Sequence, residues 1–123
     1  MKMEKQNLFY IVFVLTILLF RIFLFLFPAL DIDVIILGFE IHHIGFGLII
    51  VLIGLVMPNK HPVLKTIVFA VGFGMVIDEV IFIALGAGKV ATNYWAPASL
   101  IGTAILAISI FPLRKRIMGL VVR

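Results

Sequence analysis

Long apolar runs separated by short polar segments make up most of this chain, and that pattern restricts it to a membrane fold. Of its 123 residues 64% are hydrophobic and 13% are charged. A soluble domain has about 45–50% apolar and about 25% charged residues. Because a helix needs about 20 residues to cross the hydrocarbon core of a bilayer, runs of this length predict an integral protein of the cell membrane, with the lipid bilayer as its main partner.

The runs predict an all-α fold, a bundle of four transmembrane helices that forms one domain over residues 1–123. Each run ends in proline, glycine or charged residues, which punctuate helices. The first run is too long for the apolar region of a signal peptide, and no cleavage site follows it, so we interpret it as a retained anchor. The predicted spans are 8–27, 39–57, 62–85 and 97–112.

The positions of lysine and arginine predict the orientation of the bundle. Lys89 stands alone on one side of the membrane, whereas the other side has Lys2, Lys5, Lys60, Lys65, Arg114, Lys115, Arg116 and Arg123. The positive-inside rule therefore places both termini in the cytoplasm. The chain has no aromatic–basic patch, so we expect no nucleic-acid partner. It has no cysteine, which excludes disulfides and thiolate ligands.

The segment 29–38 has two acidic residues, Asp31 and Asp33, before the apolar run Val34-Ile35-Ile36-Leu37. It is too apolar for a solvated loop and too short to span a bilayer. Either it lies in the membrane interface or it packs over the outer ends of the helices, and the sequence leaves both open.

Ionisable side chains occur inside three of the predicted spans, where each costs about 2.5–3.5 kcal/mol on insertion scales. At about 1.5 Å per residue, six of them fall in the outer third of the bilayer and share one layer, whereas Lys65 lies at the inner end of its span. Glycines let helices approach closely, so we expect the Glu40–His43–Gly47 face to meet the Gly74–Asp78 face. The six ionisable residues of this layer are Arg21, Glu40, His42, His43, Asp78 and Glu79.

The charges of this layer predict a cation site. Three carboxylates and one arginine leave excess negative charge, which low dielectric forbids unless a cation or protons neutralise it. Carboxylate and imidazole ligands suit zinc, iron or manganese. Glu-x-x-His is also the spacing of dimetal sites in helix bundles, which use two such motifs, so a homo-oligomer could supply the second. The predicted divalent-metal ligands are Glu40, His43, Asp78 and Glu79, with His42, Tyr94 and Arg21 nearby.

Three functions are compatible with such a layer. In a metal-dependent enzyme acting on a membrane substrate, Glu79 or Glu40 would be the general base toward an activated water. In a transporter subunit, the same side chains would pass protons or metal ions. In a structural or accessory subunit, an Asp78–Arg21 ion pair would lock helix pairing, while Glu40, His42 and His43 would cap a helix end among lipid headgroups.

Three short motifs resemble a family of small prokaryotic multispan membrane proteins of uncharacterised function. They are His42-His43 opening one span, Gly72-x-Gly74-x-x-x-Asp78-Glu79 inside a later span, and Tyr94-Trp95 after it. The resemblance covers roughly the middle half of the chain. It implies a multi-pass membrane fold but no established activity. Family members often have a further histidine shortly after the pair, where this chain has Ile44 and Gly45.

Overall fold

Four helices and one short antiparallel sheet form the described part of the fold, which confirms the predicted helices and adds two strands to them. The computed structural model describes residues 2–27, 34–36, 39–41, 43–85 and 95–122, and for residues 34–36, 39–41 and 43 it describes the backbone alone. The elements in chain order are α1 (Lys5–Leu26), β1 (Val34–Ile36), β2 (Phe39–Ile41), α2 (His43–Val56), α3 (Pro62–Ala84) and α4 (Pro97–Val121).

Helices α1, α3 and α4 are long and apolar enough to cross a membrane, with 22, 23 and 25 residues. Their outward faces carry large apolar side chains, such as Leu19, Phe25 and Ile108, which are 62%, 72% and 69% exposed. Exposed surfaces of this kind suit lipid and not water. These three helices fit a multi-pass membrane protein. Helix α2 has 14 residues, or about 21 Å, compared with a hydrocarbon core of about 30 Å.

The second helix begins later than predicted. We expected it to start at Phe39, but Phe39–Ile41 is strand β2, which pairs antiparallel with β1, and α2 begins at His43. Residues 34–36 are Val-Ile-Ile, and β-branched side chains favour extended backbone. Their partner strand supplies hydrogen bonds that a helix would otherwise provide. Glu40 therefore belongs to a strand, opposite Ile35.

The fourth helix ends later than predicted. We expected it to stop at Phe111-Pro112, but α4 continues through Pro112 to Val121. The proline leaves the carbonyl of Ile108 without its helical partner. The helix continues nevertheless because Met118 and Val121, each 4% exposed, pack in the same core cluster as residues of α1.

Helix α3 is the centre of the bundle and packs against the other three helices. Phenylalanine rings from α1 and α3 fill the core between them, with centroids 5.5 Å apart for Phe13 and Phe73 and 5.8 Å apart for Phe9 and Phe69. Aromatic rings at such separations contribute more than their buried area alone. The middle of the bundle is therefore an apolar, close-packed core.

Glycines bring α2 and α3 into backbone contact. A Cβ on Gly72 would lie 2.6 Å from the backbone nitrogen of Val51 and 2.8 Å from the carbonyl oxygen of Gly47. A Cβ on Gly74, in contrast, would meet Thr16 and Phe13 of α1. The expectation that the Gly47 and Gly74 faces meet is therefore wrong, because the face of α3 that contains Gly72 packs on α2.

Candidate functional site

A buried ion pair joins α1 to α3 at the end of the bundle where α1 and α3 terminate. Nε of Arg21 donates to Oδ1 of Asp78 at 2.6 Å, and Nη2 of Arg21 donates to the main-chain oxygen of Asp78 at 2.9 Å. The two side chains are 10% and 0% exposed. A charge in this environment is tolerated only with a partner and further hydrogen bonds, and both are present here.

Helix α4 and the residues just before it complete the surroundings of Arg21. Nη2 of Arg21 lies 3.3 Å from Oγ1 of Thr103, and the guanidinium carbon lies 5.6 Å from the centroid of the Trp95 ring. Ser99, one turn before Thr103, is fully buried, and its Oγ has no hydrogen-bond partner among the described residues. We call Arg21, Asp78, Glu79, Ser99 and Thr103 the polar layer.

Glu79 faces a different neighbour from Asp78. Its Oε2 accepts the backbone N–H of Ile44 at 2.7 Å, and the residue is 4% exposed. Because α2 begins at His43, this carboxylate lies at the first turn of that helix. The unpaired N–H groups and the dipole of a helix favour a negative charge at this position.

The adjacent carboxylates diverge because successive helical residues are rotated by about 100°. Asp78 contacts α1 and Glu79 contacts α2. Arg21, Asp78 and Glu79 lie at one level of the bundle, as expected, while their depth in a bilayer stays a prediction. The structure also adds Thr103 of α4, through its contact with Arg21.

The other predicted ligands are only partly described. Glu40 is in β2 and His43 is the first residue of α2, both with backbone alone, while His42 and Tyr94 lie outside the described residues. Within the side chains that are described, no three His, Asp or Glu residues group closely enough to hold a metal ion. The predicted ligand set therefore stays a prediction.

Lys65 is a further buried charge, and the sequence did not identify it as a site residue. Lys65 was interpreted only as a marker of orientation, yet it is 4% exposed. Its Nζ donates to the main-chain oxygens of Leu55 and Met57 at 3.2 and 2.8 Å and to Oδ1 of Asn59 at 3.0 Å. Its position three residues after Pro62, inside an apolar helix, is the signal that could have identified it.

The interior between Lys65 and the polar layer is mostly apolar in the part of the chain that the structure describes, and its buried hydroxyls, on Thr16 and Thr66, donate to carbonyl oxygens of their own helices. The buried residues of α3 over this length include Phe69, Ala70, Gly72 and Met75. Phe9 and Phe13 of α1, both fully buried, fill the space beside them. Such a core offers no chain of polar groups for an ion or proton to follow through a single copy of the protein.

Comparison with known protein families, curated proteins and solved structures finds no match to this chain.

Proposed function

We propose that this chain is a four-span membrane protein with both termini in the cytoplasm. The gathering of basic residues at one end of the bundle supports this topology. Nε of Arg114 in α4 donates to Oδ1 of Asn7 in α1 at 3.2 Å, so the last and first helices have their basic ends together, as the positive-inside rule requires. Helix α2 would make the second crossing, with the two strands in the membrane interface at its N-terminal end.

The topology can be tested with single cysteines, because the natural chain has none. A cysteine at Lys115 should react with a membrane-impermeant maleimide only after the cells are opened, and a cysteine at Lys89 should react in intact cells. Labelling of both positions from the same side would contradict the four-span topology.

For the function, we propose that the protein binds a divalent metal ion at the start of α2, with Glu79, His43 and Glu40 as ligands. The observation that supports it is the hydrogen bond from Ile44 to Glu79. This contact holds a buried carboxylate against the residue that directly follows His43. Glu40 lies three residues before His43 in the chain, and carboxylate–imidazole sets suit zinc, iron or manganese.

Arg21 and Asp78 have a different role in this proposal. The guanidinium neutralises the Asp78 carboxylate and also bonds to its main-chain oxygen. This pair fixes the backbone at Asp78 and with it the direction of the adjacent Glu79 side chain. Supporting contacts of this kind orient ligands in metal sites. Glu79 remains the candidate general base if the site is catalytic.

Metal content measured by mass spectrometry on detergent-purified protein tests the proposal. Wild type should contain zinc, iron or manganese, and His43→Ala and Glu79→Gln should lose it. His61→Ala and Glu4→Gln are matched controls, since they remove the same side chains at exposed positions in the other half of the bundle, and they should keep the metal. A folded wild type that stays metal-free after incubation with each ion would overturn the proposal.

A second candidate function, a structural or accessory membrane subunit, is favoured by the Arg21–Asp78 ion pair itself. The pair joins α1 and α3, and Arg21 also reaches Thr103 of α4. One network thus connects three helices, and buried polar groups can specify which helices pair. In this case the joint replacement Arg21→Met with Asp78→Leu should preserve function in cells, whereas the metal proposal predicts a loss, because the pair orients the ligand Glu79.

A further inference from the structure

The basic end of the bundle has an amphiphilic cleft that is separate from the polar layer. The cleft has a volume of about 630 Å³ and lies where α1 and α3 begin side by side. Its polar part is formed by Lys2, Glu4, Lys5 and Gln6, and Leu8 and Val63 are among its apolar walls. A second cleft of about 410 Å³, lined by Lys60, shares Val63 with the first.

Charge decides which ligand suits this surface. Lys2, Lys5 and Lys60 are exposed at the two clefts, and the acidic residue among them is Glu4. The Glu4 carboxylate accepts a hydrogen bond from Nε2 of Gln6 at 2.7 Å. Three lysines against one carboxylate give the surface a positive balance, and an anionic group is the complementary ligand.

The apolar walls specify an amphiphile. Val63 and Leu64 are 54% and 53% exposed. They lie in the first turn of a helix that is apolar enough to cross a membrane, so their exposed surface suits an acyl chain. Lysine stems lie along apolar surfaces while their ammonium groups reach the headgroup level. Lysines beside the end of a spanning helix attract anionic lipids. A phosphate can therefore meet the lysines while an acyl chain lies against Val63 and Leu64.

We propose that the two clefts, whose linings share Pro62 and Val63, together bind one anionic phospholipid. Its phosphate lies among Lys2, Lys5 and Lys60, and one acyl chain follows Leu8 and Val63 toward the membrane interior. The bound lipid would hold the start of α1 against the start of α3. This proposal does not depend on the metal site at the opposite end.

The test measures binding of fluorescent phosphatidylglycerol to the full-length protein in detergent, with phosphatidylcholine as the neutral lipid. Wild type should prefer phosphatidylglycerol. The triple variant Lys2→Gln, Lys5→Gln, Lys60→Gln should bind it about tenfold or more weakly, given the contribution of each lysine at an anionic surface. The control Lys115→Gln, Arg116→Gln removes two exposed charges at the same end but outside the clefts, and it should bind within about twofold of wild type.

The variant Val63→Trp fills the cleft without changing any charge, and it should also weaken binding. Equal affinity of wild type for the two lipids would overturn the proposal. So would equal losses in the lysine variant and in the control, since that result indicates diffuse attraction to the whole basic end. Full displacement of the lipid by inorganic phosphate would indicate a soluble phosphate site instead.

Discussion

Lys65 and Glu79 lie on the same helix and contact the opposite ends of α2. The Lys65 ammonium donates to carbonyl oxygens at the C-terminal end of α2, and the Glu79 carboxylate accepts an N–H at its N-terminal end. Lys65 and Glu79 are 14 positions apart along α3, and α2 contains 14 residues. Each charge has the sign that complements the helix dipole at its end. Helix α3 thus clamps the shortest helix at both termini.

Removing the lysine of this clamp should destabilise the protein. Lys65→Met leaves the Leu55 and Met57 carbonyls without their donor. A hydrogen bond to a charged group contributes about 1.5–3 kcal/mol, but water can replace the lost donor at these carbonyls and so reduces the cost. We expect a loss of about 1–3 kcal/mol in the free energy of unfolding, measured by denaturant titration in mixed micelles. Lys60→Met, at an exposed position nearby, should change the same free energy by no more than about 0.5 kcal/mol.

At the other end of the clamp, charge and hydrogen bonding can be separated. Glu79→Gln keeps an acceptor oxygen for the N–H of Ile44 and loses only the charge at the helix N-terminus, so we expect a cost of about 0.3–1 kcal/mol. Glu79→Leu loses the acceptor as well and should cost about 1–3 kcal/mol. The measurement is the same titration in the presence of a chelator, which removes any contribution from bound metal. Equal costs for the two variants would contradict the assigned contact.

Two glycine substitutions should have opposite effects on stability, because Gly72 lies between packed helices and Gly119 has open space around it. Gly72→Ala places a Cβ within 2.6 Å of the backbone nitrogen of Val51. Backbone atoms of two packed helices cannot yield locally, so we expect a destabilisation of about 1–3 kcal/mol. Gly119→Ala meets nothing within 4 Å and should stabilise α4 by up to about 1 kcal/mol through higher helix propensity. Thermal unfolding followed by circular dichroism compares the two, and a neutral Gly72→Ala would show that the helices are further apart.

The Arg21–Asp78 pair predicts strong non-additivity. Arg21→Met leaves the fully buried Asp78 carboxylate without its cation, and Asp78→Leu leaves the guanidinium without its anion. Each single change should cost about 3–5 kcal/mol, whereas the double variant should cost much less, because no unpaired charge remains. A double-mutant cycle on the free energy of unfolding measures the coupling. Additive costs would show that the two side chains act independently.

The helical architecture was predictable because lipid requires it. Backbone polar groups in the hydrocarbon core must bond within their own segment or within a closed barrel, so long apolar runs predict helices whatever their neighbours are. Proline and glycine then mark the ends, and α1 and α3 begin and end within a few residues of the prediction. That Arg21 and Asp78 lie at the same level of the bundle also followed from the sequence, since the rise per helical residue is constant.

The start of α2 and the end of α4 could not be predicted from the helical sequence pattern alone. The start of α2 is set by the pairing of Phe39–Ile41 with Val34–Ile36, and extended residues gain their hydrogen bonds only from another strand. The end of α4 is set by the packing of Met118 and Val121 in the core cluster that includes Phe9 and Phe13, which outweighs the interruption at Pro112. The first is a contact between neighbouring strands and the second a contact with a distant helix, and neither follows from the helical pattern at the boundary itself.

The sequence by itself determined that this protein is helical and that it suits a membrane, and it placed Arg21 and Asp78 at one level of the bundle. Only the tertiary structure decided which side chains meet. It directs Asp78 to Arg21 and Glu79 to the start of α2, and it turns Lys65 from an orientation signal into a helix cap. The physical reason is that depth follows from a constant rise along each helix, whereas the partners of a side chain depend on how each helix is rotated against its neighbours.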